Sequence, residues 1–341
     1  MNNIIEMKQP ILSYNIDKII DIIKKIIMID DYKINIFIFY PKKKEWFDKN
    51  ILFISKILKN NQELIKSLVY YKNYGYILLN SILINEKLPF ILKSLKVSKN
   101  LKNNKTKINS RSLYIFPDDI EKIKLYEKNK ILSQINNIDS IFQQRNYLDD
   151  CILFRGMNEN EKIHDNLDNL DKKTNMKMFS NLANSIIKNK IFKNNEDEIL
   201  FKNYSSFSIN PFIPLYFMNK YNNSTSYFLI LKIKKEHNIP GFFLSNIFFN
   251  NNINFASYNL IDYDEFEILI SRNLKIKILK IKNIKINKDK KKFLSIKNSY
   301  NLDYLKTIKT THKNIKIIYA ESLPFEFPNI PDFNGYKYLC S

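Results

Sequence analysis

Glycine occurs only four times in 341 residues, at Gly75, Gly156, Gly241 and Gly335. So few cannot build a glycine-rich phosphate loop, which argues against P-loop, kinase and Rossmann readings. Arginine is as scarce: Arg111, Arg145, Arg155 and Arg272 are the only four among 55 basic residues. Two cysteines, Cys151 and Cys340, spell out no disulfide framework and no zinc site. His164, His237 and His312 are far apart, without metal-ligand spacing, and read as ordinary surface residues. No Gly-x-Ser-x-Gly elbow and no paired histidine is present to activate a serine. No apolar run approaches the roughly 18 residues that would cross a bilayer. The start, Met1-Asn2-Asn3-Ile4-Ile5-Glu6, lacks the basic and apolar regions of a signal peptide. The expectation is a cytoplasmic or otherwise intracellular protein, in its own cell or in a host, with no membrane span and no metal.

Lys, Asn, Ile, Phe and Tyr crowd the chain instead, the profile of an A+T-biased coding sequence. The net charge of +21 favours encounter with nucleic acid or acidic partners. Lysines are spread along the whole length, however, as a codon bias would spread them. Runs such as Lys288-Asp289-Lys290-Lys291-Lys292 read as solvated loops. A basic nucleic-acid-binding or interaction protein without catalysis stays open as the alternative reading.

The first half reads mainly helical. Apolar residues recur at helical spacing over 16–28, 51–58, 63–71 and 76–84, with Lys and Asn between them. Residues 34–40 have the look of a short strand, and 100–110 of an exposed loop. Pro117-Asp118-Asp119 starts a further helix well, with acids near its positive end. After Cys151 short β-branched and aromatic runs follow one another at 152–154, 204–209, 227–233, 242–244, 266–270 and 274–286. The last alternates lysine with apolar residues, as a half-exposed strand would. Helices followed by strands predict an α+β fold, a helical N-terminal lobe packed on a mixed β-sandwich. The expected division is an N-terminal extension over 1–50, a main domain over 51–290 and a C-terminal extension over 291–341 packing on the core. The main domain splits into a helical lobe, 51–150, and a β core, 151–290. Leu323-Pro324-Phe325-Glu326-Phe327-Pro328 reads as an extended arm.

Under a bias toward lysine, an arginine marks a place where a planar guanidinium is wanted, and a glycine one where backbone must bend or come close. Arg155 and Gly156 are adjacent, directly after the apolar run 152–154. Such an end of a strand can clamp a phosphate and present bare backbone to a flat ligand; a simple turn with a solvated arginine has the same sequence. In Tyr204-Ser205-Ser206-Phe207-Ser208, the hydroxyls of Ser206 and Ser208 share a strand face and can orient a neighbouring carboxylate. Glu265-Phe266-Glu267 heads the run Ile268-Leu269-Ile270, so on a strand both acids project together. Like charges that close raise the proton affinity of one member, which suits acid/base work, although the motif is also common on solvated faces.

Taken in order, Phe154-Arg155-Gly156, Ser206-Phe207-Ser208 and Glu265-Phe266-Glu267 resemble the Arg…Ser-Thr-Ser…Glu-x-Glu signature of mono-ADP-ribosyltransferases, in pattern the arginine-modifying bacterial toxins and viral enzymes. Tyr71, Tyr76 and Asn80, with Gly75 beside them, are similar to the Tyr…Tyr…Asn pattern on the family's helix above the NAD site. Asn203 stands where those toxins often carry a nucleotide-contacting Asn, Phe217 where an aromatic packs near nicotinamide, and Lys220 where a base approaches phosphate. Ile239-Pro240-Gly241 resembles the family's turn into a central strand, and 267–272 its Glu-Ile-Leu-Leu-Pro-Arg stretch. The resemblance covers roughly residues 55–285. Phe207 departs from it in place of Thr, Ser271 in place of a frequent Pro, and Tyr263 by one position.

The resemblance implies NAD as substrate and a protein as acceptor, with no metal. It implies that Glu267 stabilises an oxocarbenium-like ribosyl cation, held by Ser206, and that Arg155 binds the diphosphate while Gly156 docks the nicotinamide amide. Tyr76, Asn80, Asn203, Phe217 and Lys220 would complete the NAD site. Glu265 would engage an arginine acceptor, since relatives that modify Asn or Gln usually carry Gln there.

Overall fold

The computed structural model describes residues 11–28, 31–33, 52–54, 56–57, 61–72, 79–80, 83, 87–89, 120–158, 195–211, 213–215, 226–244, 267–286, 290–297, 303–310, 313–329 and 337–339. In chain order the longer helices are α1 (Ile16–Met28), α2 (Gln62–Tyr70) and α3 (Ile120–Phe142). The strands are β1 (Asp31–Lys33), β2 (Lys87–Pro89), β3 (Cys151–Asn158), β4 (Glu198–Phe201), β5 (Ser205–Ser208), β6 (Ser226–Ile233), β7 (Gly241–Leu244), β8 (Glu267–Ile270), β9 (Leu274–Ile286), β10 (Lys290–Lys297), β11 (Asp303–Thr310), β12 (Lys313–Ser322) and β13 (Lys337–Leu339). The architecture is α+β.

Eight strands form the main sheet in the order β4-β9-β12-β6-β3-β5-β8-β7. All neighbours are antiparallel except β12 and β6, so the sheet is mixed. β4 and β5 are joined by only Lys202, Asn203 and Tyr204, yet five strand spacings separate them in the sheet. Laid flat, that is roughly 24 Å, whereas the link reaches only about 14 Å. The sheet therefore rolls over on itself. The enclosed core takes side chains from all eight strands, among them Leu153, Phe201, Phe207, Leu229, Phe243, Ile268, Ile276 and Ile318.

Two helical layers cover the outside. α1 starts at Asn15, whose Oδ1 accepts the Lys18 N–H at 2.9 Å. Its isoleucines 19, 20, 23, 26 and 27 pack on Phe154, Phe228, Ile230, Ile315 and Ile317. Burying each isoleucine is worth about 1.5–3 kcal/mol, so the apolar face decides the docking, and the surface pairs Lys280–Asp17 and Lys282–Asp21 add register. α2 and α3 cover the other outer face, where Leu64, Ile65, Leu68, Ile135, Ile138 and Phe142 meet Phe242, Leu244 and Leu269.

In β9 the lysine–apolar alternation buries Leu274, Ile276 and Ile278 and leaves Lys275 and Lys277 partly exposed. A one-residue irregularity in its pairing with β12, between Tyr319 and Ala320, then switches the phase. Beyond it Ile281 still faces the enclosed core while Ile284 turns to α1.

Several expectations need revision. The stretch read as a solvated lysine run is strand from Lys290 onward, because β10 pairs with β11 along its whole length. The segment assigned to a C-terminal extension supplies β12, an inner strand between β9 and β6, so the sheet is incomplete without it. Ile315, Ile317, Ile318 and Ala320 carry the apolar pattern that places it there. α1, assigned to the N-terminal extension, likewise covers the sheet. His237 is largely enclosed rather than on the surface, with Nδ1 3.0 Å from Ser322 Oγ. The arm after β12 does run extended, its Phe325 N–H donating to the His237 carbonyl at 3.0 Å. Residues 34–40 and 100–110 lie outside the described residues. No described helix is long and apolar enough to cross a membrane.

Candidate active site

Register brings the three sequence motifs to one place. Phe154 of β3 pairs with Ser208 of β5, and Ser208 pairs with Glu267 of β8. Arg155 therefore follows by one residue a cross-strand row that runs through Glu267 to Leu244 of β7. Glu267 shares its face with Leu269, which packs toward α2 and α3, while Ile268 and Ile270 fill the enclosed core. Ser206 is opposite Leu269, on the same face as Glu267 but diagonal to it. The direct cross-strand partner of Glu267 is Ser208.

The Glu267 carboxylate is held by a residue that the sequence did not single out. Lys72 Nζ donates to Glu267 Oε2 at 2.7 Å, with side chains only 4% and 7% exposed. Lys72 follows α2 in a π-helical turn over Tyr71 and Lys72, a local widening often found at functional sites. Leu64, Leu68 and Lys72 are spaced by four, and all three are buried. A lysine in the apolar phase of a helix is the signal that could have found it.

Tyr71 stands beside this pair. Its ring meets Tyr204 edge-on at 5.7 Å, and Asn80 Nδ2 donates to its hydroxyl at 3.3 Å. Burial first, and then the Glu267 charge, push the Tyr71 phenol well above its ordinary value; Asn80, Arg155 and Lys72 pull the other way. The Arg155 guanidinium lies over two rings, 5.7 Å from the Phe207 centroid and 5.9 Å from that of Phe201. Gly156 follows it in β3, half-buried.

Of the other expected residues, Asn203 is buried in the β4–β5 link and donates from Nδ2 to the Tyr204 carbonyl at 2.8 Å. The Oδ1 of Asn80 is buried and has no hydrogen-bond partner among the described residues. Glu265, Tyr76, Phe217 and Lys220 lie outside the described residues, as do Gly75 and Tyr263. Gly241 opens β7, next to β8, and needs to be small, since a Cβ there would come within 2.9 Å of Leu148 Cδ1.

No protein-family model matches the chain, and no curated protein sequence matches it. Among solved structures, its outline resembles that of the enzymatic component C2-I of the Clostridium botulinum C2 toxin: TM-score 0.40, 18% identity, 82% of this chain and 48% of that one. It also resembles the Vis toxin, an ADP-ribosyltransferase from Vibrio splendidus: TM-score 0.38, 10% identity, 93% and 88% of the chains. A third similar structure is the ATR domain of Salmonella SpvB: TM-score 0.38, 19% identity, 77% and 100%. The chain spans about half the length of C2-I. These likenesses are of outline only.

Proposed function

We propose that the chain is a mono-ADP-ribosyltransferase that moves ADP-ribose from NAD to an arginine side chain of a protein. The observation that carries this reading is the row Phe154–Ser208–Glu267, which sets one buried carboxylate beside β5 with Arg155 one residue further along β3. A guanidinium over aromatic rings, beside the half-buried backbone of Gly156, suits a diphosphate and a flat amide.

The reaction breaks the bond between ribose C1′ and the nicotinamide nitrogen. Nicotinamide leaves with the bonding pair and becomes neutral, and the positive charge passes to the ribosyl ring. Glu267 stabilises that charge and hydrogen-bonds a ribose hydroxyl, an interaction worth more in the transition state than before it. Arg155 holds the diphosphate of the ADP-ribose that is transferred and Gly156 the amide of the leaving nicotinamide, so that the bond between them is kept in line. A guanidinium nitrogen of the acceptor then bonds to C1′. Because that group is protonated near neutrality, it must lose a proton, and Glu265 is the carboxylate assigned to take it. With water in place of arginine the same first step gives NAD hydrolysis.

The basic nucleic-acid reading gains little support from the surface of β9. There Lys277, Lys280 and Lys282 are matched by Glu196, Asp17 and Asp21.

The test is incubation with labelled NAD and a cell lysate, alongside an arginine-containing peptide and its lysine counterpart. Glu267→Gln should abolish both transfer and NAD hydrolysis, a loss on the order of 10²-fold or more. Transfer near the wild-type rate by that variant would sink the assignment.

A further inference from the structure

Glu267 faces a physical problem that the proposed reaction makes acute. A carboxylate almost fully removed from water takes up a proton unless something holds its charge. A neutral carboxyl would do little for a ribosyl cation. The surroundings of Glu267 are mostly apolar or neutral: Leu244 pairs with it on β7, Ser208 on β5, and Leu269 follows it on its own strand. Among the described residues, the charged and titratable groups near it are Lys72 and Tyr71 at the end of α2, with Arg155 also within electrostatic reach of Tyr71. Glu265 and Asp264, two and three residues back along the chain, are the nearest carboxyls in sequence. The Arg155 guanidinium lies against the rings of Phe201 and Phe207, and Tyr71 stays neutral. Only Lys72 makes a direct charged contact with Glu267 among the described residues.

We propose that Lys72 is a positioning residue of the catalytic centre, keeping Glu267 ionised and fixing one of its oxygens so that the other is presented to the ribose. This rests on the proposed function for its catalytic half. The geometry supports the division of labour: Lys72 Nζ meets Glu267 through Oε2 at 2.7 Å, on one side of the carboxylate. An ammonium on a flexible stem does this without the fork that would occupy both oxygens. The buried phase of α2 aims the side chain, because Leu64, Ile65, Leu68 and Val69 anchor the helix on the sheet one and two turns before it.

Two measurements test it. The first is the pH dependence of NAD hydrolysis by wild type, Lys72→Met and Lys72→Arg. Lys72→Met keeps the apolar stem and loses the charge. Its acid limb should move up by about one pH unit or more, and its maximal rate should fall on the order of 10-fold to 100-fold. Lys72→Arg should restore most of both. A role in stability alone would lower the amount of folded enzyme and leave the pH profile in place. The second measurement needs no activity: the carboxyl ¹³C shift of Glu267, assigned by its loss in Glu267→Gln, is titrated in wild type and Lys72→Met. The midpoint should be higher in the variant by the same margin. If Lys72→Met shows no cooperative unfolding transition, Lys72→Gln takes its place in both experiments.

Equal midpoints in the two proteins overturn the inference whatever the enzymology. A variant lacking the lysine that turns over NAD as fast as wild type, or faster, overturns it too, since Lys72 would then be idle or a brake. Absence of turnover in wild type, with the midpoint still shifted, overturns the proposed function and leaves the pair structural.

Discussion

Arg272 closes on Asp139 inside the protein, with Nη2 2.7 Å and Nε 3.0 Å from Oδ2, although 133 residues separate them. The side chains are 7% and 10% exposed. Nη2 also donates to the Asn329 carbonyl at 2.6 Å, and the Tyr204 hydroxyl donates to Asp139 Oδ1 at 2.7 Å. One carboxylate thus ties α3, the β4–β5 link and the β8–β9 corner together, and the guanidinium adds the C-terminal arm. Asp139 stands in the apolar phase of α3, four residues after Ile135. It is the same kind of misfit as Lys72 on α2, answered by an opposite charge from the sheet.

Breaking this pair should cost more than a surface ion pair. Removing one partner of a buried, hydrogen-bonded pair strands the other charge, at about 3–5 kcal/mol. Asp139→Ala and Arg272→Leu should each lose about that much in urea unfolding. The double variant should lose clearly less than the sum, because neither charge is then left alone. Arg272→Lys should rescue little, since an ammonium cannot span both contacts and the Asn329 carbonyl. Strict additivity would show that the two residues act separately.

The buried tyrosines give the fold an alkaline limit. Burial, then Asp139, push the Tyr204 phenol well above its ordinary value of 10.0. Burial, then Glu321, push Tyr319 up to about 12. A folded-state pKa above the unfolded one means that the unfolded chain releases its proton first as pH rises. The contribution is therefore fully present below about pH 10 and is lost as pH climbs through the folded values. Each such tyrosine adds a slope of up to about 1.4 kcal/mol per pH unit. Unfolding free energy should be level from about pH 8 to 9.5 and then fall, and Tyr319→Phe should make the fall shallower. A level curve through about pH 11.5 would contradict the assignment.

Much of the sheet was legible because its strands carry period-two patterns, as in β9, or are continuous apolar runs, as in β6. Sheet order was not legible. The parallel pairing of β12 with β6 joins residues about ninety positions apart, and no local pattern announces it. The site was legible where composition made residues rare. Arg155 and Arg272 stood out among so many lysines, and both use geometry that a lysine lacks: faces of aromatic rings for one, a forked contact for the other. Arg145 had the same rarity and is an exposed residue with φ 58° just beyond α3, which nothing in the structure explains. Lys72 failed to stand out for the converse reason. Lysine is the commonest cation here, and only its phase on α2 sets it apart.

Phe207 replaces the Thr of the resembled signature, and its ring lies 5.7 Å from the Arg155 guanidinium. A cation on an aromatic face gains about 0.5–2 kcal/mol, more where water is excluded. With Phe201 as the second contact, 5.9 Å from the guanidinium, the arginine is held between rings, and its buried Nη1 keeps donor capacity for an anion. Phe207→Leu keeps an apolar side chain of similar bulk but removes the ring face, so it should cost less than about 1.5 kcal/mol of stability. Its effect should fall instead on NAD binding: a rise in KM of up to about 10-fold, corresponding to 1.4 kcal/mol, with kcat nearly unchanged. Phe207→Tyr keeps the ring and should keep KM. Phe207→Ala opens a cavity in the enclosed core and should lose about 3–5 kcal/mol of stability as well. A folded Phe207→Leu protein with wild-type KM would mean that the rings only pack beside Arg155 and do not set its position.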